Sequence, residues 1–274
     1  MPTSSRKPNI VLILGSAPDV VRCQMWPRDA FNTIVAINNA WLVRPDYDYL
    51  IHADDFPEDR QPDRKGVRFA SIVRANEFVP AQNAFGGFVY AGGTMAFTAA
   101  YWAIHRLKPD VLAFLGCDMM YDGARGPTHF YGTGTPDPLR SDVTLQSLEA
   151  KSARLFVTGI RNGTLCVNLS RLPATRLIFP KVDAGDLMAM PRRAAADLRS
   201  RYATEIDEAA ESAGRRMEEG LGYFVEDGRY WEQVDRFDPN GLRELDGIWL
   251  SSVRRITQPA RTDGPDPESI ASPK

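Results

Sequence analysis

Val111-Leu112-Ala113-Phe114-Leu115-Gly116-Cys117-Asp118-Met119-Met120-Tyr121-Asp122-Gly123 decides the fold of this chain. An apolar run stops at a glycine and an aspartate. A Gly/Pro-rich loop then carries His129 between Thr128 and two aromatics, in Thr128-His129-Phe130-Tyr131-Gly132. In open α/β sheets ligands bind just beyond the carboxyl ends of strands. A strand that ends in a carboxylate and a phenol, with a titratable imidazole in the next loop, is therefore a candidate site. Histidine is also the side chain whose ordinary pKa suits proton transfer near neutrality.

Working outward, Asn9 to Leu14 is a continuous β-branched and apolar run, as a strand buried on both faces requires. It ends in Gly15-Ser16-Ala17-Pro18-Asp19, a tight turn into a helix. Thr33–Ile37 ends in Asn38-Asn39, Tyr47–Ile51 ends in His52-Ala53-Asp54-Asp55, and Val67–Val73 reads as a fourth strand. Gly92-Gly93-Thr94 starts a helix of small and aromatic residues that runs to about Leu107, just before Val111–Leu115. Pro138 to about Arg161 reads as a helix with Leu145, Leu148 and Leu155 on its apolar stripe. Asn162-Gly163 stops it, and Thr164–Leu169 is a further strand. Arg176–Phe179 is expected as a short last strand. Alternation of strand and helix predicts right-handed βαβ units and a doubly wound, mostly parallel α/β sheet.

From Pro191 the composition shifts. Arg192–Glu219 is rich in Ala, Arg and Glu and reads as one long charged helix. Met217, Leu221, Tyr223, Phe224, Tyr230 and Trp231 cluster after it, and Trp249, Leu250 and Val253 close an apolar patch. The expected division is a flexible N-terminus (1–8), an α/β domain (9–190), a helical appendage (191–256) that packs on that domain or on a second subunit, and a disordered tail (257–274).

Composition narrows the function classes. The chain has 274 residues and a net charge of −2, with 43% hydrophobic and 25% charged residues. That balance gives no pull toward nucleic acid or anionic membrane. No apolar run approaches a membrane span. The start of the chain has no signal-peptide core, which points to a cytoplasmic protein. Three widely spaced cysteines and three histidines argue against structural zinc and against a disulfide framework. Cys117, at a strand end, reads as a nucleophile or, better, as a small buried thiol.

The polar strand ends admit two readings each. Gly15, Ser16 and Pro18 allow backbone to approach a phosphate at a helix start, or form a plain turn. Asn38 and Asn39 can read a ribose or base edge, or one of them can cap a helix. Gly93 and Thr94 offer N–H groups and a hydroxyl, or Thr94 only caps. Asp54 and Asp55 suit Mg²⁺ as a pair, or lie in a surface loop. Asp118 ends a buried strand, where an unpaired charge is costly, so it orders backbone N–H groups or contacts ligand. His105 reads as structural.

The order of these motifs resembles the bacterial sialyltransferases of glycosyltransferase family 42 and the related MptE-like and Maf-like proteins. The residues that carry it are Ile13-Leu14-Gly15-Ser16-Ala17-Pro18, Val35-Ala36-Ile37-Asn38-Asn39, Gly92-Gly93-Thr94, Leu115-Gly116-Cys117-Asp118-Met119-Met120-Tyr121, Thr128-His129-Phe130 and Asn168-Leu169-Ser170. The match spans Asn9 to Pro180 and leaves out the C-terminal helices. The resemblance implies a Rossmann-like sheet of the GT-A-variant kind and a nucleotide-activated sugar donor, of the CMP-nonulosonate type, bound without a metal cofactor. It implies His129 as general base and Tyr121 as donor to the leaving phosphate, with Tyr131 standing in for a second tyrosine. Gly15, Ser16, Pro18, Asn38, Gly93, Thr94, Gly116 and Asp118 would line the nucleotide site. Asp54 or His52 stands where an asparagine is expected. The acceptor would be a glycan or small molecule, and the C-terminal helices could join two copies. The alternatives are an Mg²⁺-dependent diphosphokinase of the MptE-like type using Asp54 and Asp118, and a non-catalytic nucleotide- or sugar-binding module.

Overall fold

A computed structural model describes residues 6–62, 71–121, 126–133 and 142–257. Its centre is a six-stranded, all-parallel sheet: β1 (Ile10–Leu14), β2 (Thr33–Ile37), β3 (Tyr49–Ile51), β4 (Ser71–Val73), β5 (Val111–Leu115) and β6 (Leu165–Asn168). The strand order is β4-β3-β2-β1-β5-β6. All five residues of β1 and of β5 are buried, which is why both read as unbroken apolar runs rather than alternating ones. The order reverses between β1 and β5, so the loops after these two strands depart in opposite directions. That is the switch point where open α/β sheets take ligands.

Helices flank the sheet. Ahead of β5 come α1 (Ala75–Asn83), α2 (Phe88–Ala91) and α3 (Met95–Leu107), and after it α4 (Leu148–Arg161). The Thr94 hydroxyl accepts from Phe97 N–H and fixes the start of α3. Ala99, Ala100 and Ala103 let that helix lie close on β1, β2 and β5, while Phe97, Tyr101 and Trp102 fill the space beside them. Ser147 caps α4, and Asn162 with Gly163 (φ 82°) ends it. The expected helix from Pro138 is shorter. Asp142 caps a single 3₁₀ turn, Val143–Leu145, and α4 begins only at Leu148; residues 138–141 lie outside the described residues. Residues 67–70 of the fourth strand, the first five residues and the tail from 258 also lie outside them.

Two expectations are corrected. Arg176–Phe179 is not a strand. Its N–H groups are spent elsewhere: Arg176 on the Asp118 carbonyl, Leu177 on Thr175 Oγ1 and Ile178 on Ser152 Oγ, so no ladder forms. Only an isolated bridge, Asn168 to Lys181, extends β6. The long charged helix is two helices, α6 (Arg192–Glu205) and α7 (Glu208–Leu221), preceded by a short α5 (Ala184–Ala189). Ile206 is extended and buried, and Asp207 caps α7 through Ala210 N–H, which breaks the helix there.

The C-terminal helices pack on the α/β domain of their own chain, chiefly α8 (Pro239–Ser252) and then α6 against α4, with α7 lying on α8. Arg154 of α4 is buried and forks onto the Glu218 carboxylate at 2.6 and 2.8 Å. It also donates to Tyr101 Oη and to the Phe85 carbonyl, while Trp249 Nε1 donates to Glu218 Oε1. Burial alone would push the Arg154 pKa down, but the adjoining Glu218 carboxylate keeps it well above the ordinary arginine value. One turn earlier, buried Lys151 pairs with Asp246 at 2.8 Å. A short α9 (Arg254–Thr257) follows. Among the described residues no helix is long and apolar enough to cross a membrane.

Candidate functional site

The register lines up the strand ends. Leu14 pairs with Ala36 and Leu115, Ile37 with Ile51, and Phe114 with Asn168. The residues just beyond them form one polar row along the carboxyl edge: His52 after β3, Asn38 after β2, Ser16 after β1, Asp118 after β5 and Ser170 after β6.

The β1 and β5 loops stay in contact past the strands. Gly15 N–H donates to Leu115 O and Ala17 N–H to Gly116 O. A Cβ on Gly15 would stand 2.3 Å from Gly116 O, so this glycine serves close backbone contact with β5. Gly116 adopts φ 75°, and Pro18 opens the helix expected after β1, which is a 3₁₀ helix, Pro18–Met25. Gly15→Ala is expected to cost about 3 kcal/mol, because the opposing atom is backbone and cannot rotate away; urea unfolding measures it.

His129 sits over this switch point. Phe130 N–H donates to the Ser16 carbonyl, which ties the histidine loop to the end of β1. His129 and Gly132 exchange backbone hydrogen bonds, closing a tight loop. The buried imidazole stacks with Tyr121 (5.6 Å, 27°) and with Tyr131 (4.9 Å, 25°). Its Nδ1 lies 2.8 Å from Thr128 Oγ1. Burial pulls its pKa below the ordinary histidine value, so the ring is neutral at pH 7. The fold thus brings Tyr121, His129 and Tyr131 together.

Several polar atoms along the row are buried without a hydrogen-bond partner: Asn38 Oδ1, His52 Nε2, Asp19 Oδ1 and both carboxylate oxygens of Asp118. Buried polar atoms are almost always paired, so such a cluster at one edge calls for an explanation. Asp118 is completely buried, and burial raises its pKa. Ser170, Thr175 and Asn168 stand close enough to favour its charged form, but none makes a hydrogen bond of ordinary geometry to it, and Asp19 opposes it. The expectation that Asp118 orders backbone N–H groups is therefore not realised.

Asp118→Asn makes a signed prediction. The folded-state pKa is raised, so the carboxyl favours folding below its unfolded pKa of about 3.9 and loses that contribution as pH rises. The amide variant is expected to be more stable than wild type at pH 7, by about 1–3 kcal/mol. That advantage should shrink toward pH 4. Thermal melts across pH 3.5–7.5 measure it.

Other expected site residues fall into bland roles or gain new partners. Thr94 caps α3. Neither Asn38 nor Asn39 caps a helix: Ile37 holds the cap position, with no side-chain cap bond. Asn39 is buried, and Asn38 takes φ 49°, a backbone state that asparagine tolerates and that clusters at functional positions. Asp54 and Asp55 are exposed in a turn, and among the described residues no three His, Cys, Asp or Glu side chains converge as a cation site. Burial, reinforced by Asp118 and Asp19, raises the Cys117 pKa far above the thiolate range, so it is an inert thiol. His105 is exposed, edge-on to Phe85.

Tyr230 is the residue that sequence reasoning left in an apolar cluster. Its hydroxyl lies against Gly93, where an added Cβ would stand 2.0 Å away, and donates to Asp142 Oδ2 at 2.9 Å. The C-terminal helices thereby deliver a phenol to the turn that starts α3. No local pattern could announce this contact, because it joins residues far apart in the sequence.

No protein-family model matches this chain, and no curated protein or solved structure matches it.

Proposed function

We propose that this protein transfers a sugar from a nucleotide-activated donor, of the CMP-nonulosonate type, to a glycan or small-molecule acceptor without a metal ion. The observation that carries the reading is the Tyr121–His129–Tyr131 stack, held over the β1/β5 switch point beside a row of unpartnered polar atoms. A neutral imidazole can take a proton. The reading takes the tautomer in which Nδ1–H donates to Thr128 Oγ1, so that Nε2 keeps its lone pair and acts as the base. The acceptor oxygen bonds to the anomeric carbon as its proton moves to Nε2. The bond from that carbon to the phosphate oxygen breaks, and its electron pair leaves on the phosphate. The Tyr121 phenol donates a hydrogen bond to that oxygen as charge develops, and Tyr131 stacks on the imidazole. The displacement inverts the anomeric centre. Ser16, Asn38 and the turn at Gly93–Thr94 are the donor-binding positions. The reading places the protein in the cytoplasm, with no nucleic-acid partner.

A thermal-shift series with CMP, CDP, UMP, UDP, GDP and ATP, each with and without Mg²⁺, tests the reading. A ligand at one hundred times its Kd adds about 2.7 kcal/mol to stability. Cytidine nucleotides are expected to raise the melting temperature in EDTA. Stabilisation by ATP alone, and only with Mg²⁺, would transfer the site to phosphoryl transfer. No shift with any nucleotide would contradict both.

A further inference from the structure

The turn Gly92-Gly93-Thr94 starts α3 at the carboxyl edge of the sheet, because α3 runs back to the opposite edge, where β5 begins. Side chains tied to the C-terminal helices pack against both glycines. A Cβ on Gly92 would stand 3.1 Å from Lys151 Cγ, and the Lys151 ammonium is paired with Asp246 of α8 at 2.8 Å. A Cβ on Gly93 would stand 2.0 Å from Tyr230 Oη. Tyr230 follows α7, is 2% exposed, and stacks on Phe88 of α2 with ring centres 6.1 Å apart. Its hydroxyl donates to Asp142 Oδ2, while Asp142 Oδ1 accepts from the N–H and the hydroxyl of Thr144. The phenol is thus held at both ends, by its ring and by its hydroxyl. The turn itself stays open to solvent: Gly93, Met95 and Ala96 are only half-buried. The first N–H groups of a helix also have no partner within it.

Resting on the nucleotide reading of this edge, we infer that Tyr230 is a positioning residue for the donor: its phenol, braced on Asp142, holds the Gly93–Thr94 turn in the conformation that binds the nucleotide. Tyr230 is too deeply buried to touch donor or acceptor, so it acts through Gly93. Two adjacent glycines at the head of a helix have many backbone states open to them. Ordering them only when the ligand arrives would cost affinity, and a phenol already packed on Gly93 removes that cost. The C-terminal helices then complete the site as well as burying apolar surface. Coupling of this kind is reciprocal: bound nucleotide strengthens the docking of residues 222–238 by the factor that Tyr230 adds to nucleotide affinity.

Calorimetric titration of the full chain with CMP, in wild type and in Tyr230→Phe, tests this. Phenylalanine keeps the ring on Phe88 and deletes the hydroxyl. CMP is expected to bind about 10-fold more weakly to the variant, the value of one hydrogen bond to a carboxylate. At saturating donor its kcat should stay within about twofold of wild type, since no group at the reacting atoms has changed. Without nucleotide, the amides of Phe97 and Thr98, which bond to Thr94, should exchange faster in the variant, with those of β1 and β5 unchanged. Gly93→Ala supplies a second test. Its Cβ meets the phenol oxygen at 2.0 Å in wild type, and only the ring carbon Cζ at 2.9 Å once the hydroxyl is gone. The loss of CMP affinity from Gly93→Ala should therefore be smaller in the Tyr230→Phe background. Binding of CMP to wild type and Tyr230→Phe within about twofold, or losses that simply add in the double variant, overturns the positioning role and leaves the nucleotide reading standing. Faster exchange throughout the sheet, the mark of general loosening, overturns it too. If wild type binds no CMP, the nucleotide reading fails and the inference fails with it.

Discussion

Arg154→Leu is expected to destabilise the protein by about 3–5 kcal/mol, the cost of leaving one partner of a buried ion pair alone. Glu218 would be left in a buried site without its guanidinium partner, with the Trp249 indole as the remaining donor to its carboxylate among the described residues, and Tyr101 Oη and the Phe85 carbonyl would lose their guanidinium contacts. Arg154 also lies over the Trp249 and Tyr101 rings, so packing is lost together with charge. Because α7 and α8 are held to α4 through this network, their helices should loosen first. Urea unfolding measures the loss, and protease cleavage near residues 222–238 should appear before the sheet unfolds. The double variant Arg154→Leu with Glu218→Leu should recover part of the loss, since no uncompensated charge then remains. A double variant no more stable than Arg154→Leu alone would show that packing, and not the stranded carboxylate, dominates.

The second large effect concerns His129. His129→Ala is expected to lower kcat for sugar transfer by about 10²–10⁴-fold, the usual contribution of a positioned general base. Nucleotide binding should change little, since the base acts on the acceptor proton. The pH dependence has a definite sign. Burial lowers the His129 pKa, so in wild type the acid limb of kcat/KM should fall below the ordinary histidine value of about 6.5, and the variant should lack that limb. Folding responds in the same direction: a histidine held neutral contributes its stability above the unfolded pKa and loses it as pH falls through the folded one. A rate loss that follows nucleotide affinity instead would make His129 a binding residue.

Much of the sheet was legible because its signals are local. The runs at Ile10–Leu14, Thr33–Ile37 and Val111–Leu115 are too apolar and β-branched to sit anywhere but between two layers, and Thr94 marks the start of α3 by a capping bond three residues long. The stack of His129 with Tyr121 and Tyr131 was half legible, since Tyr131 is a near neighbour in sequence and Tyr121 lies in the segment that follows β5. Harder features depend on distant contacts. The break at Ile206–Asp207 exists because Ile206 is drawn into the core and Asp207 caps a new helix, which an Ala/Arg/Glu composition hides. Pro80 inside α1 obscured that helix altogether. Tyr230 against Gly93 and the unpartnered Nε2 of His52 follow from how strands and helices are assembled, and a linear pattern carries no trace of either. Arg176–Phe179 looked like a strand because it is apolar, yet its N–H groups were already bonded to side chains and to the Asp118 carbonyl.

In the proposed reaction His129 drives a metal-free displacement at the β1/β5 switch point. The most direct measurement is release of CMP from a CMP-activated nonulosonate by the full chain in excess EDTA, compared with His129→Ala. Release by wild type that persists in the chelator and drops by about 10²-fold or more in the variant is the predicted result. Turnover that requires Mg²⁺, turnover equal in both proteins, or cytidine nucleotide binding with no turnover in either would contradict it.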